Sequence, residues 1–478
     1  MSLVGLELSD VGIIAVVNNP PELLSVDGKW KESPAFATPE KKRLLVGKAA
    51  QNKARFFRGQ VATEFWDQLN LAPLKVDLPM AQHHAEIAFT HLSKVWTAIA
   101  DQCDQLVVAI PDYFEKQGLG LVAAIAKELN LPVKKFVSLS LASVQPVKDS
   151  FLLHLDLHLH RATLAYLRQG DYLIREDALT TTSGLGLNEL FDKWAIAIAK
   201  ELIHATGYDP FHCMASEQSL YDQLPTILET LKEQAAIVFE MKGGGDRTYQ
   251  VALTRELFLE QCEPLLDEML QLIEQLQNRY STDRRPLVIE LSHRVGLLPG
   301  FKEKLAQATN ANVVELPRGA AAFGALQLWE RLEQAPIQTA QGNGRLLIQR
   351  LCQDVEPPAY LQQEADASKQ KRAMRPTHVL YRDMAYPITA QPLIVGRVDS
   401  RNPVDIVIEG QTRGISRKHC SIALQEDEVV LQDFSADGTF VNEARVAGLF
   451  PLKLGQAIRV GTPGEKLLLI ACVSASEG

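Results

Sequence analysis

The chain has 478 residues, 46% of them hydrophobic, a net charge of -9 and a pI near 5.7. That length exceeds what one hydrophobic core serves, so several compact units are expected. The negative balance disfavours nucleic acid and anionic lipid as partners, and no apolar run approaches the ~18 residues that a membrane span needs.

The opening "MSLVGLELSD" lacks the basic start and apolar core of a secretion signal. Six cysteines are scattered singly, with no C-x-x-C pair. Reduced thiols in a cytoplasm are the expectation, rather than a disulfide frame or a zinc ribbon. Cys103, Cys213, Cys262, Cys352, Cys420 and Cys472 read as buried apolar residues, not nucleophiles.

In chain order, "VGLELSDVGIIAVV" reads as strand, turn, strand, and "AEIAFTHLSKVWTAIADQ" has helical spacing. "QLVVAIP" is an apolar run fit for a buried strand, followed by the helical "GLGLVAAIAKEL" and a strand at "VKKFVSL". Two strands come next. "GLNELFDKWAIAIAKEL" and "YDQLPTILETLKEQAAIVFE" are amphipathic helices, and "RELFLEQCEPLLDEMLQLIEQLQNRY" reads as the strongest helix. "MKGGGDR" fits a hairpin turn better than a phosphate cradle. "RPLVIEL" returns to strand and "GAAAFGALQLWERL" to helix, so residues 1–332 read as an α/β domain. Residues 333–376 are polar, Gln- and Ala-rich and broken by Pro, which reads as a linker with "KQKR" a proteolysis point. From 377 to 474 short strands alternate with turn residues, the pattern of an all-β sandwich.

Within "FLLHLDLHLHRATLAYL", His154, Asp156, His158 and His160 alternate with leucines and would share one face of a strand. Imidazoles at that spacing can converge on zinc. The plainer reading, which we favour, is a polar stripe of neutral, hydrogen-bonded histidines without metal. No Ser/His/Asp catalytic pattern stands out.

In the sandwich, Gly396-Arg397, Ser416-Arg417-Lys418-His419, Ser435 to Thr439 and Val441-Asn442 all lie in or beside turns. Arginine forks and a hydroxyl gathered on loops suit a phosphate dianion. "LIVGR", "GISRKHCSI" and "LQDFSADGTFVN" resemble the forkhead-associated domain, a module that binds phosphothreonine peptides. The resemblance implies that Arg397, Ser416 and Arg417 bind phosphate and that Asp437, Gly438 and Thr439 form the adjoining ligand turn. It gives Gly396 and His419 structural roles. The family carries Asn where this chain has Asp437, which loses an amide donor and adds charge near a dianion. Against this stands ordinary turn chemistry in an adhesive sandwich.

The first 332 residues resemble the ATPase domain of DnaK-type chaperones. The likeness runs through "VGLELSDVGIIAVV", "LLVGKAAQNKAR", "VVAIPDYFEKQGLGLVAAIAKELNL", "LTRELFLEQCEPLLDEML" and "VVELPRGAAAFGAL", in order. It implies the actin-like fold, two α/β lobes with a nucleotide cleft. Yet the glycine-rich turns of that family are changed here. The first phosphate loop is Glu7-Leu8-Ser9-Asp10-Val11, the second Asp156-Leu157-His158-Leu159-His160-Arg161, and the purine turn Glu290-Leu291-Ser292-His293-Arg294. Bulk at these bends keeps phosphate from backbone N–H groups, and Asp10 adds negative charge where phosphates would sit. "VATEFWDQL", where the family's catalytic lysine would fall, has none.

The expected protein is therefore an adaptor and a pseudo-ATPase, with no cofactor. Its forkhead-associated domain would recruit a threonine-phosphorylated protein. Its degenerate N-terminal domain, with Glu7, Asp10, Asp156, His158, His160, Ser292 and Arg294 in the altered cleft, would dock a chaperone-like partner or another copy of the chain. The alternative is a divergent ATP-driven switch using Glu7 and Asp156 for magnesium. A metal-dependent hydrolase on the histidine stripe is the third reading. Substrate refolding is not expected, because no peptide-clamping domain follows Leu332.

Overall fold

The computed structural model describes residues 2–332, 350–351 and 376–473, except 19, 79–80, 148, 170–172, 244–246, 281–284, 383, 399–403, 409–411, 426–427, 443, 447 and 463. The expected linker at 333–376 thus lies outside the described residues, but for 350–351 and 376. Contacts divide the chain into one unit of Met1–Lys193 with Gln261–Ala367 and another of Trp194–Glu260 with Ser368–Gly478. No helix among the described residues is long and apolar enough to cross a membrane.

The first unit holds two mixed sheets built to one plan. The first runs Val133–Ser138, Gln105–Ile110, Leu3–Leu8, Gly12–Val17, Glu22–Leu23, with Glu32–Pro34 also on Gly12–Val17. The second runs Asn312–Glu315, Leu287–Leu291, Phe151–Leu157, Arg161–Gln169, Leu173–Ser183, then Arg350–Leu351. In each, three antiparallel strands are extended, beside the first of them, by two parallel strands. Parallel neighbours need crossovers, and helices supply them. His84–Ile99 precedes Gln105–Ile110, and Phe301–Thr309 precedes Asn312–Glu315.

Apolar runs such as "LVVAI" and "LVIEL" suit strands covered on both faces. One face of the first sheet packs Leu6, Leu8 and Ile13 with Ile87, Val95 and Ile99 of the His84–Ile99 helix. The other packs Ile14, Val107 and Val137 with Ala321, Ala325 and Leu326 of Ala320–Leu332. That helix needs small partners. A Cβ on Gly5 would stand 1.9 Å from the Ala322 carbonyl oxygen, and one on Gly324 1.7 Å from that of Ala142.

The second unit is a sandwich. One sheet runs Ile406–Val407, Leu393–Gly396, Cys420–Gln425, Glu428–Asp433, Leu449–Leu452. The other runs Thr248–Thr254, Ala236–Lys242, Glu465–Val473, Ala457–Val460, Thr439–Val441, Ala444–Arg445, with His378–Tyr381 and Met384–Pro387 branching from Glu465–Val473. Val379, Val395, Ile422, Leu431, Ile458 and Leu467 form the core between them.

Two helices read from the sequence are shorter here. Met214–Glu233 is helical, but the "AIVFE" that follows belongs to strand Ala236–Lys242, where Ile237, Val238 and Phe239 suit a pleated surface. The long helix after "LTR" is broken into Arg255–Glu260 and Glu263–Tyr280. Pro264 has no N–H to donate and fits only the first turn of the second piece. The segment Trp194–Glu260, read from the sequence as part of the first domain, packs with the C-terminal sandwich instead. Ile237, Val238 and Phe239 pair in parallel with Ala471, Cys472 and Val473, and Ala236 and Val238 join Leu380 and Ile470 in an apolar cluster.

Candidate functional site

In the first unit the turns after Leu8, Leu157 and Leu291 come together as a buried network of charge. The first hairpin turns at Ser9 to Val11, and the Ser9 hydroxyl closes that turn by accepting from the Val11 N–H at 3.2 Å. The Asp10 side chain is left for another partner. It reaches the second hairpin turn, where Oδ1 accepts from Leu159 N–H at 3.1 Å and Oδ2 from His160 N–H at 3.3 Å.

His158 sits between two carboxylates. Its Nδ1 lies 3.3 Å from Asp10 Oδ1 and its Nε2 3.6 Å from Asp156 Oδ2, an ion-pair bridge between the hairpins. Burial opposes charge on His158, but Asp156 and Asp10 outweigh it and raise the imidazole's pKa. Burial likewise opposes charge on Asp10, and His158 with the Leu159 N–H holds its carboxyl below the ordinary range. The Tyr113 ring stands edge-on to His158 at 5.0 Å, and the Arg161 guanidinium lies over Tyr113 at 4.4 Å.

Arg294 fills the other half of the network. Nη1 donates to Glu7 at 2.8 Å and Nη2 to Glu32 at 3.2 Å, while Arg318 donates to the second oxygen of Glu32. Burial would raise Glu32, yet Arg294 and Arg318 hold it at about 2. Burial pushes the Glu7 carboxyl up against the pull of Arg294. Ser292 is buried beside them, and its N–H donates to the Leu155 carbonyl. His293, half-buried next to Arg294, is held neutral with its pKa lowered to about 3.

The histidine stripe is not a stripe. All seven residues of Phe151–Leu157 are buried, and the strand ends at Leu157, so His158 and His160 belong to the turn. Period-two alternation stops there, and the four side chains do not share a face. His160 turns toward Glu189, with Nδ1 at 4.0 Å from Oε1, and His154 is kept uncharged by burial. No group of three or more His, Cys, Asp or Glu that could hold a metal ion occurs among the described residues.

A second buried set was not read from the sequence. Trp66 Nε1–H donates to His91 Nδ1 at 3.0 Å, which fixes the proton on Nε2. That nitrogen lies 2.9 Å from Ser33 Oγ, which in turn donates to Asp27 at 3.0 Å. Ser33 thus accepts from the histidine, the reverse of a nucleophile's need, and all of it is buried. It is structural. The residues sit far apart in sequence, in a pattern no motif marks. Cys213, expected to be buried, is exposed before helix Met214–Glu233. Cys352 and the Cys472 side chain lie outside the described residues.

In the sandwich the turns gather at one place. Gly396 is pressed on the next turn, since a Cβ there would stand 2.0 Å from the Arg417 carbonyl oxygen. The Arg397 N–H donates to the Ser416 carbonyl at 3.1 Å. Two adjacent backbones therefore carry Arg397 and Arg417, both exposed, with no carboxylate paired to either among the described residues. Ser416 stands between them and the third turn, its Oγ accepting from the Ala436 N–H at 3.4 Å.

His419 is fully buried and holds these turns by both nitrogens. Nδ1 accepts from the Ser416 N–H at 3.1 Å, so Nε2 carries the proton given to the Gly438 carbonyl at 3.2 Å. Burial lowers its pKa and keeps it neutral, as this tautomer requires. Gly438 takes φ 93°, a left-handed conformation that side-chain-bearing residues rarely adopt.

Thr439 departs from its expected ligand role. It is fully buried and its hydroxyl donates to Asp433 at 2.7 Å, where Ser435 Oγ and N–H also donate. Gly438 too is committed, its N–H to Ser435 and its carbonyl to His419 and Gly461. Both residues shape the turn, while Asp437 stays exposed at its tip.

Residues 393–461 match the family model of the FHA domain, a span that contains every one of these turns. The C-terminal region is thus an FHA-type all-β domain. No curated protein matches the chain significantly.

Proposed function

We propose that this chain is an adaptor that captures a threonine-phosphorylated protein through Arg397, Ser416 and Arg417. The observation that carries this reading is the convergence of two exposed arginines and a hydroxyl on turns clamped by neutral His419. The two guanidinium forks have no carboxylate paired to them among the described residues, and phosphate is an anion whose geometry they match. The FHA family match supports the same partner class.

For the N-terminal region we propose a degenerate actin-like, DnaK-related fold that does not hydrolyse ATP and serves as a docking platform for a chaperone-like protein or a second copy of the chain. The repeated strand plan of its two sheets supports the fold. The occupation of its turns by Asp10, His158 and Arg294 supports the loss of activity. Residues 333–376 would tether the two functions and raise the effective concentration of their ligands for one another. Scattered thiols fit a cytoplasmic setting.

The test uses the full-length chain. A phosphothreonine peptide library is titrated against wild type and Arg397→Ala, with unphosphorylated peptides alongside. Phosphate-dependent capture by wild type alone is expected, and equal capture of both peptide forms would sink the reading.

A further inference from the structure

We propose that the His158–His160 turn is an oxyanion receptor whose ligand, in this chain, is its own Asp10 carboxylate. The turn's carbonyls are all committed elsewhere. His158 and Leu159 accept from Leu187 and Asn188, the first residues of helix Leu187–Thr206, each at 2.9 Å, and His160 accepts from Gly184 at 3.3 Å. Gly186 holds the peptide from behind, since a Cβ there would stand 2.3 Å from the Leu159 oxygen. With the carbonyls drawn to one side, two successive N–H groups are left as donors, and successive N–H groups in a turn form an anion-binding concavity.

Asp10 fills it as a bound anion would. Each oxygen takes one N–H, at 3.1 and 3.3 Å, and His158 Nδ1 stands 3.3 Å from the first. Two donating amides, with an imidazole at ion-pair distance, on one fully buried carboxylate are a setting suited to a small oxyanion. The Tyr113 hydroxyl, on the ring packed against the same imidazole, is buried without a hydrogen-bond partner among the described residues.

The local chain does not require this arrangement. Ser9 closes the Ser9–Gly12 turn by itself, so Asp10 is not needed as a cap. It crosses to a turn 149 residues away. The receptor is thus occupied rather than lost, and the occupant ties the first hairpin to the second. This goes beyond the adaptor reading and does not depend on phosphothreonine binding.

The test compares full-length wild type with Asp10→Ala in sodium phosphate, sodium formate and sodium chloride at matched ionic strength, following the thermal midpoint. Wild type should respond to the oxyanions no more than to chloride. Asp10→Ala should melt lower and regain at least half of the loss in phosphate or formate, but not in chloride. A variant that melts like wild type, or recovers equally in chloride, overturns the proposal. Hydrogen exchange on wild type tests it without any variant that must fold. Leu159 and His160 amides should exchange at least a hundredfold more slowly than the exposed amide of Arg417. Exchange at the rate of that amide overturns it.

Discussion

Arg294 and Arg397 carry the same guanidinium group. The first is 2% exposed and shared between Glu7 and Glu32; the second is exposed, with no carboxylate against it among the described residues. In the first unit, charges turn inward and answer one another: Asp10 with His158, His158 with Asp156, Arg294 with two glutamates. In the sandwich, half-buried Asp433 is taken up by Ser435 and Thr439. The contrast separates charge used to hold a structure from charge held ready for a ligand. A site whose charges are mutually satisfied has little left to offer an incoming ion, whereas exposed forks with no carboxylate against them among the described residues keep their donors for one.

The strongest way to break the contrast is Arg294→Ala. It strands buried Glu7, while Glu32 keeps Arg318, and removing one member of a buried ion pair costs about 3–5 kcal/mol. Urea denaturation of the full chain should show a loss of that size, with phosphopeptide affinity unchanged once folded. Next is Arg397→Ala, which should do the reverse. A lost hydrogen bond to a charged group is worth about 1.5–3 kcal/mol, so affinity for a phosphothreonine peptide should fall about tenfold to a hundredfold while the midpoint stays put. Isothermal titration reads the one and calorimetry the other.

A smaller effect follows from His419. The folded sandwich keeps it neutral, while the unfolded chain takes up a proton below about pH 6.5. The unfolded state then binds more protons, so stability contributed by this group is present above that pH and lost as pH falls below it, by at most about 1.4 kcal/mol per pH unit. His419→Gln should flatten that acid slope in a pH series of sandwich melting. The smallest expected change is Asp437→Asn. Removing one exposed like charge beside a dianion is worth under about 1 kcal/mol and should tighten phosphopeptide binding by a few fold.

The turns of the sandwich could be read from the sequence because each of its functional stretches is local. "GR", "SRKH" and "SADGT" carry their turn chemistry within a few residues, and the strands between them alternate plainly. Even so, the sequence could not tell that Thr439 bonds Asp433 rather than ligand, since burial decides it. In the first unit the turns at Glu7–Val11, Asp156–Arg161 and Glu290–Arg294 stood out in the sequence for their charged and imidazole side chains, but the partners of those side chains were not legible. Arg294 meets Glu7 across 287 residues and Asp10 meets Leu159 across 149, pairings that no spacing rule encodes. The histidine alternation misled for a simpler reason: a hairpin turn at His158 ends the strand before the pattern ends.

The pairing of Ala236–Lys242 with Glu465–Val473 has its own consequence. Strand Glu465–Val473 finds its neighbour in a hairpin made more than two hundred residues earlier, so this sheet cannot close until both segments have been made. A fragment cut between residues 333 and 376 would leave Ala471, Cys472 and Val473 without that partner, a short open edge at which another copy could pair. The early hairpin is, in effect, the seal on the late domain.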